Sequence, residues 1–302
     1  MNSFIIVAPC YNEEEVVSVF LSELETTFAK TQHSYKVIIV DDCSTDSTVE
    51  KLKSFKFKSE NCELKIISLK YNVGHQGAIR QGLIYASRFE AKGFIVMDSD
   101  GEDDPEAILQ FVQIPKFDIA FVSRGKRSES LSFRIGYFFY KAIFKMISGR
   151  KINFGNYSMI SKKVLDSVSL QHYVHYSTFL SKLKFKKEFI KFDRRKRIDG
   201  KSKMNMNGLV LHGLRSLIEY SEELLFFFIR LLALLFLILF LYGGYVVYSK
   251  FINHDAMSGW TSTIAIGLIN SILIISATII LGLLILSQKG KNKNQGDIYT
   301  EL

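Results

Sequence analysis

Two stretches near the C-terminus that contain no charged residue constrain the fold of this chain more than any other feature. They cover residues 231–249 and 256–288. About 20 apolar residues span the core of a bilayer, and neither stretch has the polar face of a helix on the surface of a soluble domain. We therefore predict transmembrane helices at 224–249 and 262–287; a buried helical hairpin in a globular core is the alternative.

The charges around these stretches predict their orientation. The loop 250–261 carries Lys250 and Asp255, whose charges cancel, whereas basic residues flank the outer ends of the pair. The flanking residues are Arg230, Lys289, Lys291 and Lys293. By the positive-inside rule, both chain ends are predicted to lie in the cytoplasm, beneath a cell (inner) membrane crossed twice. Residues 4–10, the first apolar run, lack a basic flank and are not expected to be a signal peptide.

The N-terminal part of the chain alternates short apolar runs with helical patterns. The runs predicted to be strands are 4–8, 36–40, 64–69, 93–97 and 118–122. Between the first two, residues 16–28 have the spacing of an amphipathic helix, whose start at residues 13–15 is acidic. Strands that are apolar throughout and joined by helices are typical of a mainly parallel, Rossmann-like α/β sheet covered on both faces. Ligands bind beyond the carboxyl ends of such strands.

Acidic groups follow two of these strands, the second at Asp41-Asp42 and the fourth within VMDSDGEDDP, residues 96–105. Carboxylates this crowded repel one another, so either water or a cation must lie among them. Asp98 and Asp100, spaced i and i+2, can both reach one hard divalent cation, leaving water and phosphate oxygens to complete its coordination. A divalent cation that serves a phosphate ligand is therefore predicted. Helix capping by Asp46 would account for part of the acidic charge instead.

Five motifs carry a resemblance to a known family. They are APCYNEEE, VDDCSTDST, NVGHQGAIRQGL, VMDSDGEDDPE and DIAFVSRGKR, in that order. With the two apolar stretches, they resemble the family 2 glycosyltransferases of the GT-A fold. The branch they resemble is the polyprenyl-phosphate glycosyltransferases, similar to dolichyl-phosphate mannose synthase and bactoprenol glucosyltransferases. The implied organisation is a cytosolic GT-A catalytic domain at 1–205, a juxtamembrane helix at 206–223 and a cytosolic tail at 288–302.

The resemblance also implies site residues. Asp98 and Asp100 match the family's DxD pair, with Asp100 coordinating the Mg²⁺ or Mn²⁺ ion that bridges the diphosphate of a nucleotide sugar. The residues implied to bind the nucleotide sugar are Pro9, Tyr11, Asn12, Glu13, Asp42, Gly74, Asp98, Ser99 and Asp100. Asp103 is implied to act in catalysis with Asp100. The family's next residues differ here, since Glu102 replaces Gln and Asp104 replaces Pro.

Residues 184–203, hereafter the basic segment, hold ten Lys or Arg and three acids. No recognisable nucleic-acid-binding module accompanies them, so nucleic acid is not an expected partner. Lipid head groups and a phosphate substrate fit this charge, and a solvated charge run is the alternative. The segment resembles the family motif Arg-x-x-Arg-x-x-Gly-x-Ser-Lys. The predicted acceptor-phosphate residues are Arg124, Arg127, Arg194, Arg197 and Lys203, and Arg197 is also a candidate catalytic residue.

Residues 131–148 predict an amphipathic helix that lies in the membrane interface. On a helical wheel, Arg134, Lys141 and Lys145 fall within about 40° of one another, given ~3.6 residues per turn, and the remaining surface is largely apolar. A helix in the core is the alternative.

An asparagine stands where the family resemblance implies a catalytic base. NFGNYSMISKKV, residues 153–164, aligns with the family's Asp-x-Gly-Asp-Phe-Arg-Leu segment, and Asn156 occupies the position of the second Asp. An amide cannot take a proton, whereas a phosphate monoester, with a second pKa of about 6, is largely dianionic at neutral pH. Asn156, retained as a candidate catalytic residue, therefore favours a lipid phosphate as acceptor over a sugar hydroxyl.

These features together predict an inverting transferase that moves a hexose from a nucleoside-diphosphate sugar, by analogy a UDP-sugar, to a polyprenyl phosphate such as undecaprenyl phosphate. The expected partners are both substrates and the lipid bilayer, with a homo-oligomer left open. A polysaccharide synthase would need more spans and a QxxRW-like motif, and the only tryptophan is Trp260. A non-catalytic scaffold or sugar-nucleotide sensor on a degenerate transferase fold is the second alternative.

Overall fold

The apolar runs near the N-terminus form strands of one mixed sheet in the computed structural model of the protein. The structure describes residues 2–123, 154–192, 195, 218–249, 252, 259–289 and 298–302. Within these ranges the strands are β1 (Ser3–Cys10), β2 (Ser34–Asp41), β3 (Cys62–Leu69), β4 (Gly93–Val96), β5 (Ile119–Ser123), β6 (Phe154–Ile160), β7 (Lys187–Lys191) and β8 (Tyr299–Glu301). Their order in the sheet is β7-β5-β6-β4-β1-β2-β3-β8. The predicted mainly parallel sheet is confirmed, with β6 antiparallel to β4 and β5, and β8 antiparallel to β3.

Helices cover both faces of this sheet. In the same part of the chain they are α1 (Val17–Phe28), α2 (Thr48–Ser54), α3 (His75–Ala86), α4 (Ala107–Gln113), α5 (Lys162–Ser169) and α6 (Tyr176–Lys182). Ile6 of β1 packs into one buried cluster with α1, α2 and α4, while Ile5 and Val7 pack into a second with α3, α5 and α6. Both faces of the strand are buried, which explains why its sequence is apolar throughout.

Helix α1 buries the predicted apolar stripe but begins later than predicted. The buried residues of the helix are Val17, Phe20, Leu21, Leu24, Thr27 and Phe28. The acidic residues 13–15 precede the first turn, so the prediction that they begin the helix is wrong. The Glu14 carboxylate instead accepts a hydrogen bond from the backbone N–H of Ser47, at 3.1 Å. The acidic stretch thus joins the loop after β1 to the loop after β2.

Strand β8 brings the end of the chain into this sheet, which the sequence analysis did not predict. It pairs with β3, with Thr300 opposite Ser68. The Tyr299 ring meets the Tyr85 ring edge-on, with centroids 5.5 Å apart, and the Glu301 carboxylate lies 3.3 Å from Lys65 Nζ. β8 therefore covers an edge of β3 that would otherwise expose unpaired backbone groups.

Two long helices form a second compact unit, separate from the unit that contains the sheet. They are α7 (Ser221–Tyr248) and α8 (Trp260–Lys289). Both are long and apolar enough to cross a membrane, and hardly any of their apolar length is buried. Helices at the core of a soluble domain would be mostly buried, so this exposure disfavours the core-hairpin alternative.

Several predictions concern residues outside the described part of the chain. They are the interfacial helix at 131–148, most of the juxtamembrane helix at 206–223, most of the loop at 250–261, and the acceptor-phosphate residues Arg124, Arg127, Arg194, Arg197 and Lys203. The predicted domain boundaries likewise stay predictions.

Candidate functional site

The predicted nucleotide-sugar residues lie around one edge of the sheet. Strands β4, β1 and β2 are parallel neighbours, so their carboxyl ends lie side by side. Pro9 lies in β1 with Tyr11, Asn12 and Glu13 after it, Asp42 follows β2, Gly74 precedes α3, and Asp98, Ser99, Asp100 and Asp103 follow β4. Asn156 enters from β6, which pairs with β4. This is the edge at which ligands bind in open α/β sheets.

Asn12 joins the loops that follow β1 and β2. Its backbone has a positive φ of 53°, a conformation that asparagine adopts more readily than most residues. Its N–H donates to Ser44 Oγ at 2.9 Å, and its side-chain Oδ1 accepts from the N–H of Thr45 at 2.8 Å. The next amide, that of Glu13, donates to Thr48 Oγ1 at 2.9 Å. The two loops therefore form one continuous wall, from which Tyr11 projects with 42% of its surface exposed.

Asp42 lies buried behind this wall. Its Oδ1 accepts a hydrogen bond from the N–H of Val73 at 2.7 Å, in the turn that precedes α3. Burial raises the pKa of the Asp42 carboxyl, although hydrogen bonds from Val73 and Gly74 oppose the shift. Gly74 ends this turn with a φ of 77°, which a residue with a side chain adopts only with strain.

The acidic loop, defined here as residues 98–105, folds many of its carboxylates back onto its own backbone. Asp103 Oδ2 accepts from the N–H of Asp98, and Asp100 Oδ1 accepts from the N–H of Glu102, both at 3.0 Å. Asp104 Oδ1 likewise accepts from the N–H of Glu106 at 3.0 Å. Ser99 Oγ donates to the carbonyl of Pro9 at 2.7 Å and attaches the loop to β1. Backbone amides thus compensate part of the crowded charge.

His75 is a site residue that the sequence analysis missed. Its Nε2 lies 3.2 Å from Asp98 Oδ1 and 3.0 Å from the amide Nδ2 of Asn156. The His75 side chain is 43% exposed, and desolvation by the surrounding loops lowers its pKa, but the carboxylates of Asp98, Asp100 and Asp103 outweigh this effect and hold the pKa above its usual value. The signal was present in NVGHQG, where this histidine directly follows Gly74. His75 thus joins the DxD strand end to the strand that carries Asn156.

A comparison of the sequence with protein families decides what kind of protein has this site. The model of the family described as Glycosyl transferase family 2 matches residues 5–169, which include the strand ends and the acidic loop. The chain belongs to glycosyltransferase family 2.

Relatives of this glycosyltransferase share most of its length. An uncharacterized glycosyltransferase, YkcC, of Bacillus subtilis (strain 168) is 26% identical over 277 residues, 88% of this chain and 83% of the relative. A prophage bactoprenol glucosyl transferase homolog of Escherichia coli (strain K12) is 23% identical over 268 residues, 85% of each. Among solved structures, glucosyl-3-phosphoglycerate synthase from Mycobacterium tuberculosis, in complex with Mn²⁺, UDP-glucose and phosphoglyceric acid, has a TM-score of 0.53. It is 10% identical, with 74% of this chain and 79% of that chain covered. The fold of this glycosyltransferase is GT-A.

The glycosyltransferase has hard oxygen ligands at the strand ends but no preformed metal cage. Across the described residues, no group of three or more His, Cys, Asp or Glu side chains is arranged to hold an ion. A cation held together with substrate needs fewer, since Mg²⁺ is usually bound by one or two carboxylates plus phosphate oxygens and water. Asp98 and Asp100 provide two such carboxylates in the acidic loop. The donor set therefore fits a hard divalent cation that arrives with a diphosphate.

Proposed function

We propose that this glycosyltransferase transfers a hexose from a nucleoside-diphosphate sugar, a UDP-sugar by analogy, to a polyprenyl phosphate, with inversion at the anomeric carbon. Family membership supports transfer of a sugar, and the strand ends of β1, β2 and β4 supply the groups that a nucleotide sugar needs. The relative named as a bactoprenol glucosyl transferase homolog matches along most of both chains and supports a polyprenyl acceptor.

The donor is proposed to lie along the wall formed by the loops after β1 and β2. Tyr11 offers an exposed ring, Asn12 is held against the loop after β2, and Asp42 supports the turn before α3 from behind the wall. Asp98 and Asp100 would hold the divalent cation near the diphosphate. When bound, the cation supplies positive charge that compensates the departing diphosphate. The Mn²⁺ ion in the glucosyl-3-phosphoglycerate synthase structure, which has the same fold and contains UDP-glucose, supports a divalent cation in this proposal.

The presence of an amide at Asn156, rather than a carboxylate, is the observation that favours a phosphate as the acceptor. Where the family resemblance implies a base, the amide of Asn156 is 92% buried, as its exposed fraction is 8%. Its Nδ2 lies 3.0 Å from His75 Nε2, which in turn faces Asp98. A carboxamide is not basic enough to accept a proton from an acceptor, and a phosphate monoester has none to give up at neutral pH once it is dianionic. The acceptor that matches this site is a phosphate.

The reaction then needs no general base. One phosphate oxygen attacks the anomeric carbon from the face opposite the diphosphate and forms the new C–O bond. The bond from that carbon to the diphosphate breaks, and the leaving nucleoside diphosphate takes the electron pair, so the configuration inverts. Positioning and charge neutralisation are the main tasks of the protein. We propose Arg194, Arg197 and Lys203 as the residues that neutralise the acceptor phosphate.

The chain is proposed to be anchored in a membrane with its catalytic unit and its C-terminus on the same side. β8 follows α8 in the sequence but pairs with β3, which precedes α7. If both helices cross a bilayer, the chain leaves the catalytic side at α7 and returns to that side after α8. The basic residues flanking the pair, such as Arg230 and Lys293, support the cytoplasm as that side.

A transfer assay with lipid acceptors tests this function. Purified full-length protein in detergent is incubated with polyprenyl phosphate, Mn²⁺ and a panel of radiolabelled UDP- and GDP-sugars, and the lipid phase is counted. Labelled lipid whose sugar is released by mild acid is expected with one donor. A dephosphorylated polyprenol in place of the phosphate should take no label.

Three outcomes would contradict the proposal. Transfer to polyprenol at the rate of the phosphate would mean that the acceptor is an alcohol, and label in a polymer would indicate a polysaccharide synthase. Donor binding without transfer to any lipid would favour the non-catalytic sensor.

A further inference from the structure

Arg195, in the middle of the basic segment, contacts two separate elements of the catalytic unit. Its Nη1 and Nη2 donate to the two carboxylate oxygens of Glu23 at 3.2 and 2.9 Å. Its Nε lies 3.3 Å from Asp104 Oδ2, and its backbone N–H donates to the carbonyl of Glu102 at 3.0 Å. Glu23 belongs to α1, whereas Glu102 and Asp104 belong to the acidic loop. One residue of the basic segment is therefore tied to the loop that carries Asp98 and Asp100.

The acidic-loop end of this contact is itself fixed from the protein interior. The hydroxyl of Tyr157, a buried residue of β6, donates to the carbonyl of Asp104 at 2.9 Å. The Asp104 side chain is only 16% exposed, and its other oxygen accepts the N–H of Glu106. Arg195 thus attaches to a point that is held by the sheet, and the attachment fixes position as well as charge.

The geometry of the contact distinguishes it from an ordinary surface ion pair. A single exposed pair contributes little, because solvent screens it and its side chains lose freedom. Arg195 instead makes a bidentate ion pair with Glu23, an Nε contact with the Asp104 carboxylate and a backbone hydrogen bond to Glu102. Together these contacts define one orientation of the residue.

We propose that Arg195 is a positioning residue that fastens the basic segment to the acidic loop, so that the acceptor phosphate binds beside the nucleotide sugar. Anchoring residue 195 restricts, through the covalent chain alone, where the neighbouring basic residues of the segment can go. The guanidinium and backbone N–H groups of Arg195 contact Glu23, Glu102 and Asp104. We therefore assign phosphate binding to the neighbouring basic residues and not to Arg195. The inference rests on the proposed function, because it takes the basic segment as the binder of the acceptor.

Steady-state kinetics with both substrates test the positioning role. Arg195→Ala should raise the KM for polyprenyl phosphate about tenfold, while the KM for the nucleotide sugar stays within about twofold. The reason is that the substitution misplaces only the residues that bind the acceptor phosphate. Arg195→Lys keeps the charge but loses the fork, so it should recover only part of the acceptor affinity. Glu23→Gln removes the carboxylate partner of the bidentate contact and should likewise raise the KM for polyprenyl phosphate.

Lys36→Ala provides the matched control. Lys36 is a partly exposed cation whose Nζ lies 3.0 Å from the Glu63 carboxylate, and its strand position pairs with Ile5, away from the carboxyl ends. Its removal should leave both KM values unchanged.

Amide hydrogen exchange on the same full-length variants gives a readout that does not depend on turnover. The peptide around residue 195 should exchange faster in Arg195→Ala and Glu23→Gln than in the wild type, and no faster in Lys36→Ala. Unchanged exchange would overturn the anchoring, and equal rises in both KM values with a lowered melting temperature would reduce Arg195 to a structural ion pair. If the wild type transfers no sugar to polyprenyl phosphate, the proposed function fails and the positioning of an acceptor fails with it. The exchange data then still decide whether Arg195 holds the segment.

Discussion

Two carboxylates that follow β2 have pKa values shifted in opposite directions. Burial raises the pKa of Asp42 above the usual 3.8 of an aspartate, and the hydrogen bond from Val73 only partly offsets it. Burial acts the same way on Asp46, but hydrogen bonds from Thr48 and Glu14 outweigh it and lower the pKa. The folded state therefore disfavours the ionised form of Asp42 and favours that of Asp46. Stability falls as the pH rises from 3.8 through the raised pKa of Asp42, whereas Asp46 adds stability above 3.8 that is lost as the pH falls through its lowered pKa.

Substitution of each carboxylate by its amide should move the melting temperature in opposite directions. Asp42→Asn removes a disfavoured buried charge and should raise the melting temperature at about pH 7, while Asp46→Asn removes a favoured charge and should lower it. Both differences should shrink at a pH below both carboxyl pKa values. Thermal unfolding of the full-length protein without nucleotide measures this. A drop for Asp42→Asn equal to that for Asp46→Asn would show that the hydrogen bonds of Asp42 outweigh its burial.

Asp100→Asn should separate cation binding from folding. The change removes a charge but little volume, so the melting temperature should stay near that of the wild type. Turnover should fall at least ~100-fold, because loss of one strong electrostatic stabiliser costs about 2.7–4 kcal/mol. Titration of Mn²⁺ in the presence of UDP should show weakened binding, and Glu63→Gln, at an exposed carboxylate paired with Lys36, provides a control. Near-normal turnover of the wild type in EDTA would contradict the role.

At the scale of elements, α3 packs against the sheet through a position where only hydrogen fits. A Cβ added at Gly82 would lie 2.4 Å from Val7 Cγ1 and 2.7 Å from Val40 Cγ2, both on core strands. The same helix begins at His75 and follows the turn that reaches Asp42. The close approach of α3 to β1 and β2 therefore also sets where the His75 side chain enters the site.

Gly82→Ala should destabilise the catalytic unit by about 1–3 kcal/mol, because overpacking displaces the helix or the two valines. Helix propensity alone would predict the opposite, as alanine favours helices by about 1 kcal/mol over glycine. Thermal unfolding of the variant measures the sign. Gly267→Ala, in α8 where an added Cβ meets nothing within 4 Å, is the control and should be neutral or stabilising.

At the scale of the whole molecule, both ends of the helical pair continue into the catalytic unit. Just before α7, the buried Glu219 carboxylate accepts hydrogen bonds from the backbone N–H groups of Val174 and His175, at 2.7 and 3.2 Å. After α8, the chain returns to the sheet, where β8 pairs with β3. If α7 and α8 cross a membrane, a chain attached to one unit at both ends needs an even number of crossings between them.

Cysteine labelling tests this topology in intact cells. After the native Cys10, Cys43 and Cys62 are replaced by serine, Ser258→Cys in the short loop should react with an impermeant maleimide. Thr300→Cys in the exposed strand β8 should react only after the membrane is permeabilised. Labelling of Thr300→Cys in intact cells, with Ser258→Cys labelled only after permeabilisation, would reverse the proposed orientation. Equal labelling of both variants in intact cells would exclude a crossing by α8 and with it the hairpin.

Features with local sequence periodicity were predictable, whereas edge strands were not. The five apolar runs match β1 to β5 within a few residues, because strands buried on both faces need apolar side chains throughout. β7 and β8 lie at the ends of the described sheet and none of their residues is fully buried, so neither produces an apolar run. The order of the strands, with β6 inserted antiparallel between β4 and β5, has no local signature either.

The sequence by itself determined that acidic groups follow neighbouring parallel strands and that two apolar helices follow the catalytic domain, since both depend on spacing and length along the chain. Tertiary structure alone decided which of those groups meet. His75, Asp98 and Asn156 come from three elements far apart in sequence, and Arg195 contacts Glu23, which lies 172 residues earlier in the chain. Such contacts are set by helix placement and strand order, because side chains distant in sequence become neighbours only when the sheet and its covering helices pack together.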